Sequence, residues 1–359
     1  MRDLKKILII IQRSNGDVFF SKDLIFKLYC SYNEPDIDLL VNDDTYAIAK
    51  LIPNVKDIIT FSYQEKKQRN FSQEKNLISK IYKKYDLSIS LTASDRSVLY
   101  SILSSKFSIS AIENNSYKSW WKKIFLTKYY VFNSEEHIIS NNLKSLRILN
   151  IKPDNELIEV GFRKETFNKI QKFLKKIRVK NFLVFHPSAQ YDYKIYPELK
   201  RNQLIGLLAS LKIDIVITGG NSELDQHIQK TIPKYGNIHN LIGLTTLEEY
   251  LVISSLSSGY IGMDTLNMHI AASQNKKIFA IFGPTNLKMW SPWSNKLGKG
   301  TTTDMPLQNY DKVTIFQADL PCVACGRAGC DDKHGISECL HNIEPNVIFN
   351  EIKTYIESV

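Results

Sequence analysis

The sequence predicts an α/β protein of two domains, each built on a parallel sheet with flanking helices. Short apolar runs alternate with helical patterns, and this alternation restarts in the second half of the chain. A basic amphipathic segment at 164–180 separates the two halves. The length of 359 residues suits about two ordinary domains. Two facing α/β domains form a cleft where the carboxyl ends of both sheets meet, and we expect the chemistry there.

The N-terminal half opens with KKILIII, a continuous apolar run typical of a parallel strand that is buried on both faces. The spacing of apolar residues predicts the elements that follow this strand. We expect strands at 36–42, 55–62, 86–92 and 106–112, and helices at 16–32, 43–52 and 72–85.

The second half begins with a helix at 164–180 and then repeats the same alternation. We expect strands at 181–189, 214–220, 237–243, 259–264 and 276–285, and helices at 199–211, 222–232 and 247–256, with a short helix around His269. Neither half contains the G-x-G-x-x-G turn or the G-x-x-x-x-G-K-[ST] loop. Oxidoreductase and NTPase functions are therefore less favoured.

The composition indicates a folded chain with an anionic partner. Hydrophobic residues make up 43% of the chain and charged residues 23%, which is enough apolar sequence to build cores. The formal net charge of +10 suits nucleic acid, a nucleotide or phospholipid head groups without choosing among them. No apolar run approaches the ~20 residues of a membrane span, and no signal-peptide cleavage site follows the first strand. We therefore expect a cytoplasmic protein.

Asp17 follows the first strand, at the strand-to-helix turn in SNGDV. An Asp at such a turn commonly caps the helix, and this is the plainer interpretation of its position. A carboxylate at this end of the sheet could instead act as a general base. The position by itself leaves both interpretations open.

Polar side chains also follow two strands of the second half. Ser188 and Lys194 lie in the loop after the strand at 181–189, where a lysine beside a helix N-terminus suits an anion. A surface lysine is the alternative. Glu223 follows the glycine turn of ITGGNSELD, where a carboxylate can bind ribose hydroxyls or simply begin a helix.

A third strand of the second half ends in Asp264 and Thr265, and His269 lies near the start of the next helix. A single such residue would be ordinary, since a lone histidine is usually a satisfied core side chain. Adjacent strand ends that carry a lysine, carboxylates, a hydroxyl and an imidazole favour one nucleotide-sized site over several independent helix caps.

The segments GDV, HPSA, GGNSE, GMDTLNMHIAA and IFGPTNLKMWSPW occur in this order. Together they resemble the motifs of the bacterial heptosyltransferases of glycosyltransferase family nine, closest to the heptosyltransferase III branch. These enzymes build the inner core of lipopolysaccharide. The resemblance implies the GT-B fold, with two Rossmann-like domains facing across a cleft. It implies an acceptor domain at 1–170, a nucleotide-sugar domain at 171–343 and a final helix at 344–359 that packs back toward the N-terminal domain.

The resemblance also assigns roles to individual residues. Asp17 matches the acid proposed as catalytic base, which raises that role above helix capping. Lys194 matches the lysine on the donor phosphates, and Glu223 corresponds to the acid near the ribose. The D-[TS]-x-x-x-H donor motif is matched by Asp264, Thr265 and His269.

The implied reaction displaces a diphosphate from an anomeric carbon and inverts that centre. The base takes the proton of the acceptor hydroxyl, while Lys194 and helix N-termini stabilise the leaving diphosphate. No Asp-x-Asp metal motif stands at a strand end, so we expect no required cofactor, and the ADP-sugar is a substrate. The alternatives are a GT-B transferase for another nucleotide sugar, a nucleotide-sugar epimerase and, less favoured, a non-catalytic basic binding protein.

The segment YKSWWKKIFLTKYY at 117–130 interleaves aromatic and basic residues. Aromatic rings stack on sugars, and lysines suit the phosphates of lipid A and of the anionic inner membrane. An ordinary helix with a core face and a solvated face explains the pattern equally well. We expect peripheral contact with the cytoplasmic face of the inner membrane, and no nucleic-acid partner. The candidate acceptor residues are Arg13, Asp95, Lys118, Trp120, Trp121 and Lys122.

Four of the five cysteines are crowded into one stretch near the C-terminus. This crowding permits a structural zinc site of four thiolates, although the second gap is irregular for a zinc ribbon. Free thiols are the favoured interpretation in a reducing compartment. The residues concerned are Cys322, Cys325, Cys330 and Cys339.

Overall fold

The computed structural model describes residues 4–67, 71–152 and 158–358. The chain divides into two compact units, Met1–Gly161 and Phe162–Val359. This division falls earlier than the expected boundary after residue 170, because the helix at Lys164–Lys176 packs in the second unit. Two ion pairs hold that helix there, Arg163–Glu248 at 2.6 Å and Lys169–Glu249 at 2.5 Å.

Within the described residues, the first unit contains a six-stranded parallel sheet. Its central strand is buried as predicted, since Ile7 to Ile11 are at most 1% exposed. The spatial order of the strands is β3-β2-β1-β4-β5-β6. These strands are β1 (Lys6–Ile11), β2 (Asp36–Asn42), β3 (Asp57–Phe61), β4 (Tyr85–Ser90), β5 (Ser105–Ile112) and β6 (Lys128–Val131).

Helices connect the strands of the first unit, and a turn of 3-10 helix at Asp43–Thr45 follows β2. The predicted helix at 16–32 is in fact two helices, because the Ser21 amide donates to the Val18 carbonyl at 3.1 Å, a three-residue spacing that interrupts the α-helical pattern. The described helices are α1 (Asn15–Phe19), α2 (Lys22–Ser31), α3 (Tyr46–Ala49), α4 (Tyr63–Lys67), α5 (Phe71–Ile81), α6 (Asp95–Ser104), α7 (Ser116–Phe125) and α8 (Ile138–Ile148).

The second unit contains a sheet of seven strands among its described residues, in the order β12-β13-β11-β10-β7-β8-β9. All neighbours pair in parallel except β12, an antiparallel edge strand. The sequence did not predict β12 or β13. The strands are β7 (Phe182–His186), β8 (Asp214–Ile217), β9 (Ile238–Asn240), β10 (Gly259–Met263), β11 (Lys277–Ile281), β12 (Leu307–Tyr310) and β13 (Val313–Phe316).

Helices also connect the strands of the second unit, and a turn of 3-10 helix at Asp192–Lys194 follows β7. No helix in the described parts of the chain is long and apolar enough to cross a membrane. The helices are α9 (Lys164–Lys176), α10 (Glu198–Ala209), α11 (Glu223–Thr231), α12 (Leu247–Leu256), α13 (Leu266–Ser273), α14 (Leu287–Trp290), α15 (Glu338–His341) and α16 (Pro345–Ser358).

The C-terminal helix α16 packs in the second unit. Its side chains Ile348 and Ile352 are fully buried in the apolar core of that unit. The Tyr355 hydroxyl donates to the Ser258 carbonyl at 3.2 Å. These contacts hold one face of α16 on its own unit, and its expected packing toward the N-terminal domain stays a prediction.

Both sheets reverse their direction of winding at one place. The reversal lies between β1 and β4 in the first unit, and between β7 and β10 in the second. Ligands of open α/β sheets bind outside the carboxyl ends of the strands at such switch points. Asp17 follows β1, while Lys194 and Asp264 follow β7 and β10. The fold thus positions the predicted residues at both switch points.

Candidate functional site

Lys194 and Asp264 form the centre of the candidate site in the second unit. Lys194 ends the 3-10 turn after β7, and Asp264 directly follows β10. The Lys194 Nζ lies 3.1 Å from Asp264 Oδ2. Gly262 of β10 lets the backbones of β7 and β10 approach closely, because a Cβ at its φ of +151° would lie 2.4 Å from the His186 carbonyl oxygen. The ion pair therefore joins the ends of two neighbouring strands.

The charge of Lys194 is maintained by this pair. Burial alone would lower the pKa of the ammonium group, but the charge and hydrogen bond of Asp264 outweigh burial and leave the pKa raised. The lysine side chain is still 27% exposed. A fixed cation that remains accessible at the carboxyl edge of a sheet is suited to a phosphate group.

His269 lies beside the same carboxylate, in the first turns of α13. Its Nε2 is 3.9 Å from Asp264 Oδ1. Burial lowers the pKa of His269 to about 4, against the opposing charge of Asp264, so the imidazole is neutral at pH 7. Thr265 is the N-cap of α13, and its Oγ1 lies 3.5 Å from the Tyr260 hydroxyl. The structure thus brings Lys194, Asp264 and His269 together, with Thr265 adjacent in the chain.

Ser188 belongs to a second hydrogen-bonded group, around Asp225. The Ser188 hydroxyl donates to Asp225 Oδ1 at 2.5 Å, and the amide of Gly220 donates to the same oxygen at 3.0 Å. The amide and hydroxyl of Ser222 donate to Oδ2 at 3.0 and 2.6 Å. Burial would raise the pKa of Asp225, but these hydrogen bonds outweigh it and lower the pKa. Asp225 therefore fixes the glycine turn after β8.

The sequence analysis missed Asp225 and chose Glu223 in the same turn. Glu223 is the first residue of α11 and is exposed, so its role at a ribose stays a prediction. The available signal was S-x-x-D at 222–225, a capping-box pattern in which the acid at the third helical position turns back to the helix start. Asp225 supports the loop, and Glu223 is the carboxylate that a ligand can reach.

His186, at the end of β7, forms part of the buried floor beside this turn. Its Nδ1 lies 3.1 Å from Thr218 Oγ1. Burial lowers the pKa of His186 to about 4 against the opposing charge of Asp225. His186 and His269 are thus both uncharged near pH 7. Among Lys194, His186 and His269, the positive side-chain charge is therefore supplied by Lys194.

Asp17 is the acid at the switch point of the first unit. Its Oδ2 accepts hydrogen bonds from the Ser14 amide at 3.2 Å and the Ser14 hydroxyl at 2.7 Å, an arrangement that stabilises the start of α1. Its Oδ1 faces Arg13 Nε at 3.2 Å. The capping interpretation is therefore partly confirmed, although Ser14 and not Asp17 is the N-cap. Oδ1 is buried and accepts no hydrogen bond from the described residues, so the role of Asp17 as a base stays a prediction.

The other candidate acceptor residues separate into structural and exposed side chains. Lys122 is wholly buried, and its Nζ contacts the Ala93 carbonyl at 2.6 Å, Glu113 at 2.8 Å and Asp95 at 2.9 Å. A direct contact of Lys122 with an acceptor is therefore not supported. Trp121 packs partly buried against the core around Leu126. Lys118 and Trp120, by contrast, are exposed on α7.

The four clustered cysteines form no disulfide in the structure. Cys322, Cys325 and Cys330 are exposed, and Cys339 is buried, which raises the pKa of its thiol to about 11. Across residues 4–67, 71–152 and 158–358, no group of three His, Cys, Asp or Glu side chains could hold a metal ion. We therefore do not propose a zinc site.

Two doubly wound units in one chain, with a charged site at the second switch point, fit the GT-B class of glycosyltransferase fold that the resemblance implies. The chain belongs to glycosyltransferase family 9, because the profile of "Glycosyltransferase family 9 (heptosyltransferase)" matches residues 75–317. This confirms the resemblance and identifies the protein as a glycosyltransferase.

Characterised relatives are similar over most of their length. The chain is 24% identical over 322 residues to lipopolysaccharide heptosyltransferase 3 of Escherichia coli, covering 86% of this chain and 94% of the relative. It is 23% identical over 359 residues to lipooligosaccharide heptosyltransferase 2 of Campylobacter jejuni, covering 98% and 99%.

Solved structures confirm the fold class. The E. coli ADP-heptose LPS heptosyltransferase II aligns with a TM-score of 0.71 and 17% identity, over 99% of this chain and 100% of that chain. An E. coli heptosyltransferase with ADP-2-deoxy-2-fluoro heptose aligns with a TM-score of 0.70 and 16% identity, over 98% and 99%. At these identities the likeness concerns the fold.

Proposed function

We propose that this protein is an inverting heptosyltransferase that moves heptose from ADP-heptose to the inner core of lipopolysaccharide. The observation that carries the proposal is the group of Lys194, Asp264 and His269 at the switch point of the second unit. Family membership and relatives named heptosyltransferase 3 and 2 support the same donor and acceptor.

The proposed donor site uses the charge pattern of the second unit. Lys194 contacts the diphosphate of ADP-heptose, and the N-terminus of α13 at Thr265 offers further donors to it. Asp264 holds Lys194 in place, and neutral His269 adds no repulsion or charge of its own. Glu223 accepts hydrogen bonds from the ribose, while Asp225 and Ser188 hold the surrounding loops.

The proposed base is Asp17. Its carboxylate takes the proton of the acceptor hydroxyl as the new glycosidic bond forms and the ADP leaves from the opposite face of the anomeric carbon. Arg13 Nε lies 3.2 Å from Asp17 Oδ1, and its guanidinium group can bind a phosphate or carboxylate of the acceptor. Lys118 and Trp120 are proposed contacts to the part of the acceptor nearest its lipid. In this proposal the enzyme works at the cytoplasmic face of the inner membrane.

The direct test is transfer in vitro. Purified protein is incubated with ADP-heptose and a series of truncated lipopolysaccharides, and the products are weighed by mass spectrometry. Gain of one heptose on one truncation form supports the proposal. UDP-glucose and ADP-glucose serve as donor controls, and use of either in place of ADP-heptose would redefine the donor. Conversion of the donor sugar without an acceptor would instead indicate an epimerase.

A further inference from the structure

Helix α7 buries two of its polar side chains and exposes four of its large apolar ones. Ser119 and Lys122 are wholly buried, and Ser119 Oγ donates to the Glu113 carbonyl at 3.0 Å. Lys122 reaches the Ala93 carbonyl and two carboxylates. The inner side of the helix is therefore anchored to the first unit through hydrogen bonds and ion pairs, beside the partly buried ring of Trp121.

The opposite side of α7 exposes large apolar residues. Tyr117 is 93% exposed, Trp120 60%, Ile124 66% and Phe125 63%. Tyr117, Trp120 and Ile124 follow one another at intervals of three and four residues, so they form one stripe along the helix. We call the four residues the α7 surface. Such a group of adjacent exposed side chains differs from scattered apolar residues and marks a site of interaction.

Positive charges accompany the α7 surface. Lys118 and Lys123 on the helix and Lys128 just after it are exposed. Asp95 and Glu113, which contact this helix, share the single cation of Lys122, which offsets one of their two negative charges, and the three exposed lysines leave the surroundings of the helix positive. Protein interfaces are depleted in lysine, whereas lysines beside exposed aromatic rings suit the head-group region of an anionic bilayer.

We propose that the α7 surface docks the first unit on an anionic lipid bilayer. The aromatic and aliphatic side chains enter the boundary between head groups and acyl chains, and the lysines contact lipid phosphates. One part of the argument for a bilayer rests on the proposed function, because the acceptor in that function, lipopolysaccharide, is itself an anionic membrane lipid. Docking would place the first unit beside that acceptor without a membrane-spanning helix.

The test is sedimentation of the full chain with lipid vesicles. Binding to vesicles of phosphatidylethanolamine and phosphatidylglycerol is compared with binding to neutral phosphatidylcholine. The double variant Tyr117→Ser with Ile124→Ser should bind anionic vesicles at least about tenfold more weakly, because two inserted apolar side chains are lost. Leu199→Ser, at a residue 85% exposed in the second unit, is the matched control and should bind as wild type.

Charge is tested separately. Lys123→Glu should weaken binding to anionic vesicles by more than about fivefold, the loss expected for one lysine near the membrane surface. Lys234→Glu makes the same charge change in the second unit and should have a smaller effect. Circular dichroism checks that each variant is folded, which is expected because the substituted side chains are exposed.

Some outcomes would overturn docking. The proposal is contradicted if the wild-type protein does not bind anionic vesicles, or if the double variant binds them as well as wild type does. If the wild type self-associates, and the double variant loses this self-association but still binds vesicles, the α7 surface binds a second copy of this chain and not a bilayer. Transfer to a deacylated, water-soluble acceptor separates the two proposals, since the double variant should retain this activity. If the double variant loses vesicle binding but retains transfer to the soluble acceptor, docking is supported. If the wild type shows no transfer, the result contradicts the proposed function and does not bear on docking.

Discussion

Lys194 Nζ lies 3.1 Å from Asp264 Oδ2, a contact that connects the carboxyl ends of the adjacent strands β7 and β10. The carboxylate limits the freedom of the lysine side chain before any ligand arrives. A preordered cation loses less conformational entropy on binding an anion. A single substitution of the lysine should have a large effect, because it also leaves the Asp264 carboxylate, which is 9% exposed, without its cation beside the proposed phosphate position.

We predict that Lys194→Ala weakens ADP binding by about 1.5–3 kcal/mol, measured by isothermal titration calorimetry. The variant loses a charge-assisted contact, and the unpaired Asp264 repels the diphosphate. Lys200→Ala is the matched control, because Lys200 is also partly buried and pairs with Glu344 at 2.6 Å. Equal ADP affinity in wild type and Lys194→Ala would remove Lys194 from the donor site.

Asp17→Asn should lower kcat by about 10²–10⁴-fold while nucleotide affinity changes little. Asparagine keeps an oxygen for the Ser14 amide but takes no proton at neutral pH. Ser14→Ala is the control, because it removes the hydroxyl bonded to Asp17 and leaves the carboxylate. That control should lose about 1 kcal/mol of stability and retain most of its turnover. Turnover near wild type in Asp17→Asn would show that Asp17 serves only the helix.

Apolar runs and turn signals were enough to predict most buried strands of both sheets. Elements with little buried surface could not be predicted in this way. The edge strand β6 buries one of its four residues, so no apolar run marks it. The break between α1 and α2 contains a three-residue backbone hydrogen bond from the Ser21 amide to the Val18 carbonyl, which periodicity does not reveal.

The candidate site was predictable where strand ends carry unusual side chains, as at Lys194, Asp264 and His269. Apolar periodicity does not separate two carboxylates that share one turn, and the capping-box spacing at 222–225 was the one signal that Asp225 turns back to the helix start. The spacing in α7 also concealed its orientation. Lys122 pairs with carboxylates that are distant in sequence, and only the tertiary structure shows that these pairs bury the lysine and expose the aromatic rings.

Acid should destabilise the second unit through His269. The pKa of this imidazole is about 4 in the folded protein, below its ordinary value of 6.5, so the unfolded chain binds more protons between these values. The contribution of neutral His269 to the free energy of unfolding is therefore fully present above pH 6.5 and is lost as the pH drops toward 4. The loss at pH 5 is about 2 kcal/mol for a shift of this size.

The measurement is the unfolding midpoint of the second unit at pH 7.5 and pH 5. His269→Gln should be less sensitive to this pH change than wild type, since it has no imidazole to charge. His227→Gln, which alters an exposed histidine, should behave as wild type. Identical pH sensitivity in His269→Gln and wild type would contradict the assignment of a neutral, buried His269.

The two acids of the glycine turn should respond differently to substitution. Glu223→Ala removes an exposed carboxylate, so ADP affinity should fall by about 1–1.5 kcal/mol with an unchanged melting temperature. Asp225→Ala removes the acceptor of four hydrogen bonds and should lower the free energy of unfolding by about 2–3 kcal/mol. Calorimetry and thermal unfolding of both variants make the comparison. Full ADP affinity in Glu223→Ala would exclude a ribose contact.

Lys122 should contribute to stability and not to acceptor binding. Its ammonium group is buried among the Ala93 carbonyl, Glu113 and Asp95, so Lys122→Met leaves these oxygens without their cation. The free energy of unfolding of the first unit should fall by about 2–4 kcal/mol in urea, below the cost of breaking a fully buried pair because both carboxylates are partly exposed. Lys118→Met changes an exposed lysine of the same helix and should alter stability by less than about 0.5 kcal/mol. Equal stability of the two variants would contradict the structural role of Lys122. A raised KM for the acceptor in folded Lys122→Met would indicate that Lys122 contributes to acceptor binding.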